Sequence, residues 1–114
     1  MVNKVILVGR LAADPEVRAT ANGTHVANLR LVTNTYSGRD DDGNRKEESE
    51  FHTLVLFGKQ AQVAGDHLAK GRLLYADGRL RTRSWDDAEG RRRQSTEVVV
   101  DTFQILSSKP ALAG

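Results

Sequence analysis

Apolar residues in this chain recur mainly at every second position, in five separate stretches. That period of two admits only strands with two chemically different faces. The first stretch, Asn3 to Leu11, is rich in Val, Ile and Leu and ends close to Asp14-Pro15, where proline removes a ladder donor. Val26 to Thr33 follows a turn at Asn22-Gly23 and sets Ala27, Leu29 and Leu31 against Asn28 and Arg30. Phe51 to Phe57 carries Phe51, Thr53, Val55 and Phe57 on one face and His52, Leu54 and Leu56 on the other. Arg72 to Trp85 alternates Leu74, Ala76 and Leu80 with Tyr75, Asp77, Arg79, Arg81, Arg83 and Trp85. The β-branched run Thr96 to Leu106 is the fifth strand, reached through a charged hairpin connection over Asp86 to Arg93.

Only Lys59 to Leu68 departs from this period. There Ala61, Ala64 and Leu68 fall three and four apart, which predicts a short helix with Gly71 as its terminator. Gly38 to Glu50 holds six carboxylates and three basic residues without an aliphatic anchor, so it is expected to be a long, mobile loop. Three strands, a helix and two strands match an all-β, five-stranded OB-fold Greek-key barrel with one short helix between the third and fourth strands. A length of 114 residues suits one such domain.

The remaining composition narrows the chemistry. With no cysteine, the chain has no disulfide scaffold, thiolate zinc site or cysteine nucleophile. The apolar run Val5 to Val8 is too short for a signal peptide or a membrane span. A soluble, cytoplasmic, cofactor-free protein is expected. His25, His52 and His67 have no spacing that sets two metal ligands on one face. Asp40, Asp41, Asp42 and Gly43 resemble a calcium loop, but placing Gly43 sixth puts Gly38 first and Ser49 twelfth, where carboxylates are needed. Gly58-Lys59-Gln60 lacks the upstream glycine and the hydroxyl of a phosphate loop. Asn22-Gly23-Thr24 reads as a turn rather than a glycosylation acceptor. No enzymatic constellation is expected.

Charge points to the ligand class. Although the formal net charge is only +2, Lys70 to Gln94 contains eight basic residues against four acidic ones, a net +4. The rest holds nine against eleven, a net −2, so positive charge is concentrated in one stretch. Single-stranded nucleic acid offers phosphates for cations and unpaired bases for aromatic rings. Arg79, Arg81 and Arg83 share a strand face with Trp85, which supplies both. The competing reading of Trp85 as a core residue would leave three arginines poorly solvated on the same face. Phe51 emerges beside the charged segment, Phe57 suits either core or ligand, and Tyr36 precedes the same segment. Arg91-Arg92-Arg93 has an accessory role at a hairpin tip paired with Asp86, Asp87 and Glu89.

With these residues in place the chain resembles the bacterial single-stranded DNA-binding proteins. The resemblance is carried by Val2-Asn3-Lys4-Val5-Ile6-Leu7-Val8-Gly9, Asp14-Pro15-Glu16-Val17-Arg18, Phe51-His52, Val55-Leu56-Phe57-Gly58-Lys59, Leu80-Arg81-Thr82-Arg83-Ser84-Trp85 and Thr96-Glu97-Val98-Val99-Val100. It implies a homotetramer that coats single-stranded DNA in replication, recombination and repair, with the protein located at the nucleoid. It also implies that Phe51, Phe57 and Trp85 stack on bases. Lys59, Lys70, Arg81 and Arg83 match backbone-contacting positions. Subunit contacts fall on His52, Tyr75 and the Asn3 to Val8 strand, including Lys4 and Ile6. Strand parity alone instead puts Tyr75 beside the arginines. Ser37 stands where many members carry a stacking tryptophan. Residues 1–108 are expected to form the domain and residues 109–114 a short remnant without the acidic tip that recruits genome-maintenance proteins, so such partners are not assigned. Two other classes stay open: an assembly subunit that uses the barrel for protein contacts, and a metal-dependent nuclease on the same fold.

Overall fold

The computed structural model describes residues 1–107; the expected remnant at 109–114 lies outside the described residues. The strands are β1 (Val5–Leu11), β2 (Glu16–Ala19), β3 (His25–Arg39), β4 (Arg45–Phe57), β5 (Leu73–Asp86) and β6 (Arg92–Ile105), with one helix, α1 (Lys59–His67), between β4 and β5. They pair in the order β1-β5-β6-β4-β3-β2, and a further β1–β3 contact at Arg10↔Val32 and Leu11↔Leu31 closes five of them into a barrel. All pairings are antiparallel except β4–β6, where Leu54 meets Val98 and Val55 meets Val99. The five-stranded OB barrel read from the pattern is therefore the observed fold.

The interior is filled by one alternating face of each barrel strand, although Leu80, which alternation groups with Leu74 and Ala76, lies outside it at 49% exposure. Leu11, Leu29, Leu31, Leu54, Leu56 and Leu74 are fully buried, with Ala27, Ala76, Val98 and Val100 between them. Ala61, Ala64 and Leu68 carry α1 onto the same core. Burial of this kind contributes roughly 1.5–3 kcal/mol per large side chain. Closure depends on two glycines. A Cβ on Gly9 would collide with the Val32 carbonyl oxygen, and one on Gly78 with that of Val99. Only a residue without a side chain lets the backbones approach so closely.

The structure corrects the sequence reading in three places. First, Gly38 to Glu50 is not a long loop. Strands β3 and β4 continue through it as a two-stranded ribbon, pairing Thr35 with Glu48 and Tyr36 with Glu47, and only 40–44 forms the turn. The segment indeed buries nothing, but ladder hydrogen bonds do not require an apolar face when both faces are wet. Second, Glu16–Ala19 forms an extra short strand on β3, outside the barrel and fully exposed, with Pro15 just before it where no ladder donor is needed. Third, α1 ends at His67 and is capped by extended Leu68, whose N–H bonds the Ala64 carbonyl, and Gly71 instead turns the chain at φ 93° into β5.

Three hairpins use one turn. In Thr20–Thr24, Asp40–Asn44 and Asp87–Arg91 the first N–H bonds the fifth carbonyl, the fourth residue is Gly at positive φ, and its N–H returns to the first carbonyl. Asp40 Oδ1 accepts from the N–H groups of Asp42 and Asn44, and Asp87 Oδ1 does the same for Glu89 and Arg91. The apparent calcium loop is this turn.

Candidate nucleic-acid interface

Residues directly opposed across a ladder share a face, and the register brings one outer face of the barrel together. Across β3–β4, Arg30 opposes Thr53, Asn28 opposes Val55 and Val26 opposes Phe57. Val55 abuts Val99 of β6. Across β5–β6, Arg79 opposes Val99, Arg81 opposes Glu97, Arg83 opposes Ser95 and Trp85 opposes Arg93. Val26, Val55 and Val99 are buried although they point away from the interior cluster. They form an apolar floor beneath the longer side chains.

Four aromatic rings rise from this face, and each carries a guanidinium. Arg30 lies 4.8 Å from the Phe51 ring centroid, Arg45 lies 4.7 Å from Tyr36, Arg81 lies 5.8 Å from Phe57 and Arg83 lies 5.4 Å from Trp85. These separations permit cation–π attraction. These residues retain 52% (Phe51), 50% (Tyr36), 41% (Phe57) and 42% (Trp85) of their accessible surface, so none is a core residue. Trp85 in particular sits on the β5–β6 ribbon beyond the barrel. Two adjoining clefts cross this face, the larger about 300 Å³ and the smaller bordered by Phe57, and they share Asn28, Arg83 and Glu97.

Glu97 is the residue sequence reasoning missed. Its side chain is only 2% exposed, yet it lies on the basic face, where Oε1 accepts bonds from Arg81 Nη2 (2.6 Å), Arg81 Nε (3.2 Å) and Arg83 Nε (2.8 Å). A carboxylate inside the β-branched run Thr96 to Val100, on the parity of Val99, was the available signal. Arg30 was also missed, although it shares strand parity with Asn28.

The other expected residues divide into groups. Arg79 faces the same way but pairs with Asp101 at 3.4 Å. Tyr36 continues the row of Asn28 and Arg30 along the ribbon. Lys59 is exposed at the start of α1. The Lys70 N–H bonds Asp14 Oδ1 at 2.8 Å, and Asp14 lines the larger cleft. Arg93 Nε bonds Asp87 Oδ2 at 2.9 Å in the hairpin tip, and Asp87 is held below the usual carboxylate range chiefly by the Arg91 N–H and then by Arg93.

At the far edge β1 covers β5, with Val8 opposite Tyr75 and Ile6 opposite Asp77. Ile6 and Val8 are exposed. The Tyr75 hydroxyl donates to Asp77 Oδ2 at 2.6 Å, which lowers the Asp77 pKa and raises that of Tyr75; Lys4 lies 3.4 Å from the same carboxylate. Tyr75 and Arg81 do share strand parity, but six residues of strand, about 20 Å, separate them. Asn3 bonds both the N–H and the carbonyl of Leu80 within the chain, at 2.9 Å each. His52 lies apart, on the side of Leu31, with Nε2 2.9 Å from Thr33 Oγ1.

Among the described residues no three His, Asp or Glu side chains gather as a metal-ligand set, and no helix is long and apolar enough to cross a membrane.

Comparison with known proteins agrees with this geometry. The family model described as "Single-strand binding protein family" matches residues 2–106. A solved Plasmodium falciparum SSB in complex with ssDNA is 26% identical with a TM-score of 0.83, over 94% of this chain and 97% of that one. A deletion variant of the single-stranded DNA binding protein from Thermus aquaticus is 30% identical with a TM-score of 0.79, over 95% of this chain but 52% of that one.

Proposed function

This chain belongs to the single-strand binding protein family, and from that membership we propose that its aromatic and basic outer face coats single-stranded DNA with little regard for sequence. The role is binding and protection during replication, recombination and repair, without catalysis. The observation that carries the reading is the pairing of every exposed ring on this face with an arginine. Phe51, Phe57, Trp85 and Tyr36 offer faces for bases. Arg79, Arg81, Arg83, Lys59 and Lys70 supply cations for phosphates. Stacking and phosphate contacts carry little base identity, which accounts for the weak sequence preference. Such a protein would work at the nucleoid, in the cytoplasm.

The exposed apolar pair Ile6 and Val8 on β1, beside Tyr75, supports assembly with further copies of the chain. We read this as part of a homotetramer contact surface that includes Asn3 and Lys4, with His52 as a separate subunit contact. No genome-maintenance partner is assigned.

Titration of the lone tryptophan's fluorescence with oligothymidylate, with duplex DNA as control, tests the main reading. Quenching by the single strand only, weakened by salt, is expected. Replacing Arg83 with alanine should lower the slope of log K against log salt by about 0.7, the share of one single-strand phosphate contact. An absence of quenching and of competition by single strands would instead favour a protein-assembly subunit. Divalent-dependent strand cleavage would favour a nuclease.

A further inference from the structure

We propose that Glu97 is a positioning residue for DNA binding: its buried carboxylate holds the inner edges of Arg81 and Arg83 so that their outer edges meet the phosphates. The inference rests on reading this face as the DNA-binding surface, and it concerns how that surface is ordered before the ligand arrives.

A carboxylate removed from water needs charged or hydrogen-bonding partners. Glu97 finds three donors from two arginines, all on Oε1. The consequence for the arginines is directional. Arg83 is engaged only through Nε, and its Nη1 and Nη2 have no protein partner among the described residues. Those two groups form the end-on fork that matches two oxygens of a phosphate. Arg81 is engaged through Nε and Nη2, which leaves Nη1 outward. The same guanidiniums lie over Phe57 and Trp85, so one carboxylate sets the spacing between two rings and the cations beside them. Glu97 also lines both clefts. Two long side chains thereby lose their rotamer freedom in the free protein rather than on binding.

The same contacts admit an opposite role, in which Glu97 occupies the arginines and must yield to phosphate. The two roles predict opposite signs. In the whole protein, Glu97→Gln should weaken oligothymidylate binding about tenfold at a salt concentration that screens its added net charge, the order expected when two interface side chains must be ordered on binding. In an Arg81→Lys, Arg83→Lys background, where the Nε–H groups are gone, Glu97→Gln should change affinity by less than about twofold, because the effect passes through them. Unchanged or tighter binding by Glu97→Gln, or equal weakening in both backgrounds, overturns the proposal.

A measurement on the unaltered protein does not depend on the variant folding. The Nε–H signals of Arg81 and Arg83 should be protected from solvent exchange in the free protein and stay protected with oligothymidylate bound. Loss of protection on binding would mean that phosphate displaces Glu97, and the proposal fails. If the unaltered protein binds no oligothymidylate at all, the DNA-binding reading itself has failed instead.

Discussion

Replacing Trp85 with alanine separates a ligand platform from a structural residue because the two roles predict losses in different quantities. Trp85 keeps 42% of its surface exposed, opposes Arg93 across the β5–β6 ribbon and meets the Arg83 guanidinium at 5.4 Å. It is absent from the interior cluster. Folding should therefore lose only an exposed cation–π contact, about 0.5–1 kcal/mol, and a cross-strand pair, about 0.2–1 kcal/mol. A core tryptophan would cost roughly 3–5 kcal/mol. Binding should lose one base stack of about 1–3 kcal/mol, which is roughly a 5- to 140-fold rise in Kd. Since the variant has no tryptophan left to quench, anisotropy of a dye-labelled oligothymidylate is the suitable assay, with urea unfolding followed by circular dichroism in parallel. An unchanged Kd would refute stacking at Trp85. A stability loss above about 3 kcal/mol would refute its placement outside the core.

Gly78→Ala should destabilise by roughly 3 kcal/mol, the upper end of overpacking costs, because its Cβ would strike the Val99 backbone, which cannot move aside. Gly43→Ala meets nothing and should cost only the positive-φ penalty of about 1–2 kcal/mol, so equal urea midpoints for the two would contradict the close-approach argument. Asp87→Asn should flatten the acid side of the stability profile. The folded pKa of Asp87 is depressed, so its contribution is complete above the unfolded value of about 3.9 and is lost as pH falls through the folded one. Urea midpoints at pH 5, 4 and 3 that fall as steeply in the variant would remove Asp87 from the acid response. Ile6→Glu puts a charge on the exposed β1 face without touching the core, and native mass spectrometry should show a smaller assembly; an unchanged mass would exclude that face as a subunit contact.

Alternation was enough to identify the barrel. Period two set Leu29 with Leu31, Leu54 with Leu56, and Leu74 with Ala76 on single strand faces, and all of these are buried; it also set Leu80 with Leu74, yet Leu80 is 49% exposed, because β5 has there left the interior cluster. It also put Phe51 and Phe57 on one face of their strand, without deciding between core and surface for Phe57, and Arg81, Arg83 and Trp85 on one outward face of theirs. The ribbon over residues 38–50 escaped notice because a wet hairpin has no apolar signature; its signal was the turn, an Asp with Gly three residues later, used again at Asp87 and Gly90. Strand β2 escaped because four exposed residues carry no period to read.

Which residues share a strand face is thus determined by the sequence alone, since side-chain direction along a strand is local geometry. Which faces meet is not local. The parallel contact between β4 and β6 brings Phe57 beside Arg81 of β5, and its partners Val55 and Val99 are separated along the chain by α1 and the whole of β5. The β5–β6 ladder sets Glu97 opposite Arg81 and within reach of Arg83, and only the register between those two strands could turn an ordinary glutamate into a charge that holds two others in place.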